Sequence, residues 1–180
     1  MSSPSQVVIL VEDQRHQSFV RQFLYRAGFF RHHLRLVSLP SGRGSGEQWV
    51  RERYANEVIA YRTRSASAKT ALIVAIDADT WSVNDRLEQL QQTLRQADLD
   101  DRKNGEAIVH LVPKRNIETW ILCLTGDDVD EHSDYRATDV DDRIKTAAAT
   151  FFDWSRRGST PDANCVASLL SAIPEAARLG

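Results

Sequence analysis

The sequence predicts an α/β fold: a central, mostly parallel four-stranded sheet flanked by helices, with a helical C-terminal extension. Three observations predict it. Two continuous apolar runs rich in β-branched residues, Val7–Val11 (VVILV) and Ala71–Ile76 (ALIVAI), have the length and composition of strands buried on both faces. Strand-like and helix-like patterns alternate four times, the order that builds a parallel sheet with right-handed crossovers. A chain of 180 residues, 42% hydrophobic and 27% charged, supports one sizeable core and leaves little room for a second.

The elements follow in order. After Val7–Val11, a helix is expected from Gln14 to Ala27, because Phe19, Val20, Phe23, Leu24 and Ala27 share one face and Gly28 supplies a stop. Leu34–Leu39 (LRLVSL) alternates like a strand. Ser41–Gly46 (SGRGSG) reads as a loop, and a helix from Glu47 to Arg62 follows it. Ala71–Ile76 is the strongest strand. The helix Val83–Ala97 is the clearest, with Val83, Leu87, Leu90, Leu94 and Ala97 at spacings of four and three, and Ser82 with Asp85 as a variant capping box. Ala107–Val112 is the fourth strand and Asn116–Leu124 the next helix. Two more helices are expected near Val140–Trp154 and Ala163–Leu179, the second interrupted at Pro174. Residues 1–125 thus make the α/β core. Residues 126–180 make an acidic loop and C-terminal helices packed on it, within one domain.

Composition excludes several classes. No apolar run reaches the roughly 18 to 20 residues of a membrane span. The start, MSSPSQ, has no basic n-region or apolar h-region, and the two cysteines, Cys123 and Cys165, have no zinc-ligand or disulfide-framework spacing. A cytoplasmic protein is expected. The net charge of −2 argues against a protein that coats nucleic acid, but the charge is uneven. Eleven basic residues face three acids between Gln14 and Lys69, while eight acids face one base, Arg136, between Gly126 and Asp142. Such asymmetry steers a polyanion to one face, or simply marks two solvated faces. No P-loop pattern occurs, and the acidic stretch lacks the glycine and terminal glutamate of an EF-hand. That stretch reads as a solvated loop or a contact for a basic partner.

In open parallel sheets, ligands sit outside the carboxyl ends of the strands. Acids gather there. Glu12 follows the first strand, Asp77 and Asp79 follow the third, and Glu118 lies just after the fourth, in PKRNIETW. Residues two apart in extended backbone project to the same side, so the DAD triplet aims both carboxylates into one crevice. Clustered carboxylates repel unless a cation joins them, and hard oxygen ligands suit Mg2+ or Mn2+. Lys114 and Arg115, beside Glu118, are placed to hold a scissile phosphate. Each residue has a plainer role open to it. Glu12 or Asp13 serves as a helix cap, Asp77 and Asp79 as a polar turn, Glu118 as part of a solvated face, and Lys114 and Arg115 as partners of nearby acids. His16, His32 and His33 carry less signal, and His110 falls on a buried-strand pattern.

A strand ending in glutamate (VVILVED) followed by one ending in DxD (ALIVAIDAD) resembles the Toprim fold of topoisomerases, primases and OLD-family nucleases. The segment PKRNIETWIL resembles a stretch of small Toprim-like proteins that accompany ABC-type ATPases in bacterial anti-phage defence. The resemblance covers about residues 7–124. It implies Glu12 as a metal ligand or general base, Asp77 and Asp79 as metal ligands, Glu118 as an additional acid, and Lys114 or Arg115 as a transition-state cation. Asp13 stands where a glycine usually follows the glutamate, and Thr80-Trp81-Ser82 lacks the glycine that usually trails DxD. These departures point away from topoisomerases and primases and towards the divergent OLD-like branch.

The expectation is therefore a Mg2+- or Mn2+-dependent nuclease acting on DNA, contacted through Arg15, Arg43, Lys114 and Arg115, with the ATPase on a separate chain. The alternatives are a degenerate Toprim-like subunit that acts by binding that ATPase, and a small-molecule phosphohydrolase. Homo-oligomer formation stays open.

Overall fold

The chain builds four strands and six helices in a computed structural model that describes residues 4–39 and 45–180. The order is β1 (Gln6–Val11), α1 (Gln14–Arg26), β2 (Leu34–Leu36), α2 (Gly46–Ser65), β3 (Thr70–Ala75), α3 (Val83–Gln96), β4 (Ile108–Leu111), α4 (Ile117–Leu124), α5 (Ile144–Ser155) and α6 (Ala167–Ala176). All pairings are parallel and the spatial order is β2-β1-β3-β4. The expected α/β class with its four-stranded sheet is present, and the sheet is wholly parallel. Most of the Ser41–Gly46 loop, Arg43 included, lies outside the described residues.

The continuous apolar runs are explained by burial on both faces. Val7, Ile9 and Val11 of β1, with Ala71, Ile73 and Ala75 of β3, face a core completed by α1, α4, α5 and α6. Val8 and Leu10, with Leu72, Val74 and Ile76, face a second core under α2 and α3. Alternate residues thus serve opposite layers, as the pleat requires. Helix α1 ends as its glycine predicts: Gly28 has φ +92°, and the Phe29 N–H donates to the Leu24 carbonyl at 2.9 Å, a Schellman closure. Ser82 caps α3, and Asp85 returns the bond to the Ser82 N–H at 3.1 Å.

Two expectations change. The second strand shortens to three residues, because it is an edge strand; its ladder closes where the Val37 N–H donates to the Ile9 carbonyl, and Leu36 is exposed. Helix α6 starts at Ala167 and runs through Pro174 without a break. Proline there forfeits one bond, to the carbonyl of Leu170 on the exposed side, only two residues from the helix end. His110, by contrast, is buried as its strand pattern predicts, with its Nε2 2.9 Å from the Tyr54 hydroxyl.

The C-terminal helices are anchored by Trp120 of α4. Its ring is fully buried against Phe151 of α5, and its indole N–H donates to Ser168 Oγ of α6 at 2.8 Å. No helix among the described residues is long and apolar enough to cross a membrane.

Strand order decides where chemistry is placed. The chain leaves β1 towards β2 on one side, then crosses back to lay β3 on the other. The carboxyl ends of β1 and β3 therefore flank the switch point, the natural crevice of an open parallel sheet.

Candidate metal centre

Glu12 and Asp77 stand on the two sides of that crevice. The Glu12 N–H continues the sheet ladder by donating to the Ala75 carbonyl at 3.2 Å, and the Asp77 N–H donates to Glu12 Oε2 at 3.0 Å. The neighbouring Ile76 and Ala78 N–H groups bond to the carbonyls of Leu111 and Pro113. Both acids are thus fixed by backbone pairing that extends past the strands.

A third group comes from α1. Asp13 is the N-cap and accepts the His16 N–H at 2.9 Å. The same carboxylate oxygen lies 3.0 Å from His16 Nδ1, and His16 Nε2 lies 3.0 Å from Asp77 Oδ1. His16 is fully buried. Glu12, His16 and Asp77 each offer a ligand atom, and these atoms lie within 4.8 Å of one another.

The electrostatics follow from this crowding. Burial, reinforced by the Asp77 charge, pushes the Glu12 carboxyl up to about 7. Burial likewise raises Asp77. Asp13 is also desolvated, but the hydrogen bond and charge of His16 outweigh this and hold it down to about 2. Burial disfavours a charged His16, yet the charge of Asp77 and the hydrogen bonds to Asp13 and Asp77 win, and its pKa rises well above the ordinary value. His16 is thus clamped between two carboxylates, one at each ring nitrogen.

The other expected ligands line the same cavity, of about 1030 Å³, but carry cations of their own. The extended backbone ends before Asp79, whose φ of +57° breaks the period-two alternation expected of the DAD triplet. Its carboxylate takes Arg115 Nη1 at 3.1 Å and Arg136 Nη2 at 2.8 Å. Glu118 sits in the first turn of α4, set by the Asn116 cap, and receives Arg15 Nη1 at 2.6 Å. Lys114 Nζ donates to the Asp79 carbonyl at 3.3 Å. Arg15 also binds Asp141 and the Arg136 carbonyl, so its guanidinium is spent on internal partners.

The acidic stretch is therefore not simply solvated. Arg136 and Asp141 tie it to Asp79 and Arg15, because opposite charges on the turn after β3, on α1 and on the loop converge at the cavity rim. His32 and His33 sit on a short 3-10 turn outside the cavity.

Asp13 takes the helix-cap role that the sequence leaves open to it, whereas His16 carries little signal there and Arg136 stands out only as the single base of the acidic stretch. A signal exists for the histidine. His16 falls on the stripe of Phe19, Val20, Phe23 and Leu24, so its burial is readable, and its spacing of three from Asp13 is that of a capped first turn.

Gly46, the first residue of α2, packs directly on Glu12. A Cβ there would lie 2.4 Å from the Glu12 carbonyl oxygen and 2.7 Å from its Cγ. Gly46→Ala is expected to destabilise the protein by about 1–3 kcal/mol despite the better helix propensity of alanine. Thermal melts check this, with Gly105→Ala, where the added Cβ meets nothing within 4 Å, as the comparison.

Comparisons of the chain with protein-family models, with curated proteins and with solved structures find no match.

Proposed function

We propose that the protein is a metal-dependent phosphodiesterase that cleaves or nicks DNA at a centre formed by Glu12, His16 and Asp77. The observation that carries this reading is the Asp13–His16–Asp77 relay beside Glu12 at the switch point. An acceptor on Nδ1 fixes the tautomer that presents the Nε2 lone pair, the usual arrangement behind a metal-bound histidine. Glu12, His16 and Asp77 would hold a divalent cation between them, with His16 Nε2 and Asp77 Oδ1 as two of the ligand atoms. Bound there, a divalent ion supplies Lewis-acid polarisation of a phosphoryl oxygen. Glu12 and Asp77 neutralise the ion, and Asp13 holds the imidazole in place. One imidazole with two carboxylates suits Mn2+ at least as well as Mg2+.

The Toprim-like strand ends, with Glu12 after one strand and Asp77 and Asp79 after another, support a nuclease of the OLD-like kind. On that reading it works in the cytoplasm as the effector of an anti-phage system, with an ABC-type ATPase on a separate chain. The arginine pairs on Asp79 and Glu118 favour a second reading, a subunit that binds such an ATPase without cleaving.

The test incubates purified protein with supercoiled plasmid and Mn2+ or Mg2+. Nicking is expected with Mn2+, abolished by EDTA and by Asp77→Asn. Cleavage that resists the chelator overturns the metal mechanism. Absence of cleavage with and without a copurifying ATPase, while Mn2+ still raises the melting temperature, favours the second reading.

A further inference from the structure

Trp81 is more than half exposed, yet it lines the same cavity as Glu12 and Asp77. The other three tryptophans are used in folding. Trp120 is fully buried, Trp154 packs against the same core, and Trp49 packs against the α2–α3 core with Arg53 over its ring. Trp81 belongs to neither core.

Its backbone is nevertheless held on both sides. The Trp81 N–H donates to the Ala78 carbonyl at 3.0 Å, closing the turn that carries Asp79. Arg115, Arg136 and Lys114 all bind Asp79. On the other side, the Ser82–Asp85 capping box starts α3 immediately. A large apolar ring carried at a cavity mouth on a held backbone, and unused by the core, is a surface on which a flat ligand can stack. Lys145 lines the same cavity and has no ion-pair partner among the described residues, so a cation for phosphate is also available there.

We infer that the substrate strand presents an unpaired nucleotide, whose base stacks on Trp81 while its phosphate lies over the Glu12–His16–Asp77 cluster. This deepens the phosphodiesterase reading and rests on it. A duplex keeps its bases stacked on one another and offers Trp81 no free face. A single strand or a distorted junction offers one, and base–aromatic stacking tolerates any sequence.

The experiment measures binding of the whole chain to labelled dT12 and to a 12-base-pair duplex, once in Ca2+ and once in EDTA. Binding is thereby read apart from cleavage. Wild-type protein is expected to prefer the single strand, with quenching of its tryptophan emission. Trp81→Ala is expected to weaken single-strand binding about tenfold. Trp81→Phe is expected to retain most of the affinity and lose the quenching. Equal affinity of Trp81→Ala and wild type overturns the inference, as does equal binding of both DNA forms, or binding of neither form in either condition. Loss of plasmid cleavage with stacking intact would instead count against the metal centre alone.

Discussion

Glu12→Gln is expected to stabilise the metal-free protein and disable it at the same time. At pH 8 the wild type keeps a buried carboxylate ionised beside Asp77, although its pKa has been pushed up to about 7 from an ordinary 4.5. A neutral side chain of the same shape removes that cost and still accepts the Asp77 N–H. The gain is about 2–3 kcal/mol, since each tenfold weakening of the carboxylic acid corresponds to about 1.4 kcal/mol. For a chain of this size that raises the melting temperature by roughly 5–10 °C. The same variant is expected to lose the rise in melting temperature that Mn2+ gives the wild type. Cleavage should fall at least about a hundredfold, since a ligand contributes several kcal/mol to a metal-stabilised transition state. Parallel melts with and without Mn2+, alongside the plasmid assay, check both halves. A purely structural Glu12 would show the opposite sign, with lower stability and an unchanged response to metal.

The second large effect is a pH dependence that metal flattens. Between pH 4.5 and about 7, folded protein holds a proton on Glu12 that unfolded chain has released. Stability therefore falls as pH rises through this window, by at most about 3 kcal/mol. His16 acts in the same direction. Its raised pKa contributes fully below 6.5, and that contribution is lost as pH rises through the folded value. Asp13 works at the acid end, where its contribution is lost as pH falls from 3.8 to about 2. Metal-free protein should thus melt highest near pH 4–5 and roughly 5–10 °C lower at pH 8. Mn2+ competes with those same protons, so its stabilisation should grow with pH and flatten the profile. Melts at pH 5, 6, 7 and 8, with Mn2+ and with EDTA, read this directly. A metal-free profile that rises from pH 5 to 8 would contradict it.

Much of the architecture was legible because burial on two faces leaves an unbroken apolar run, as in β1 and β3, and because α3 repeats its apolar residues at strict helical spacing. Strand ends were legible for the same reason, and with them Glu12 and Asp77. What sequence could not convey was pairing across the chain. Asp79 resembles Asp77 in every local respect, yet one left-handed residue and two arginines, from positions 115 and 136, give it a different environment. Glu118 is claimed by Arg15, more than a hundred residues earlier. His16 was hidden by its helix: a polar residue on an apolar stripe reads as an interruption until the strand end beneath it is known. Pro174 misled because so near a helix end, facing the exposed Leu170 carbonyl, a proline's lost bond and ring crowding are accommodated.

The far wall of the cavity, with Arg136, Asp141 and Lys145, comes from late in the chain, whereas Glu12 and Asp77 come early. A ribosome emits the cluster long before it emits the wall. A nascent chain halted before Arg136 carries the acidic floor but lacks the guanidinium that engages Asp79, the carboxylate that steadies Arg15 and the amine at the rim. Vectorial synthesis thereby delays completion of the pocket until most of the polypeptide exists.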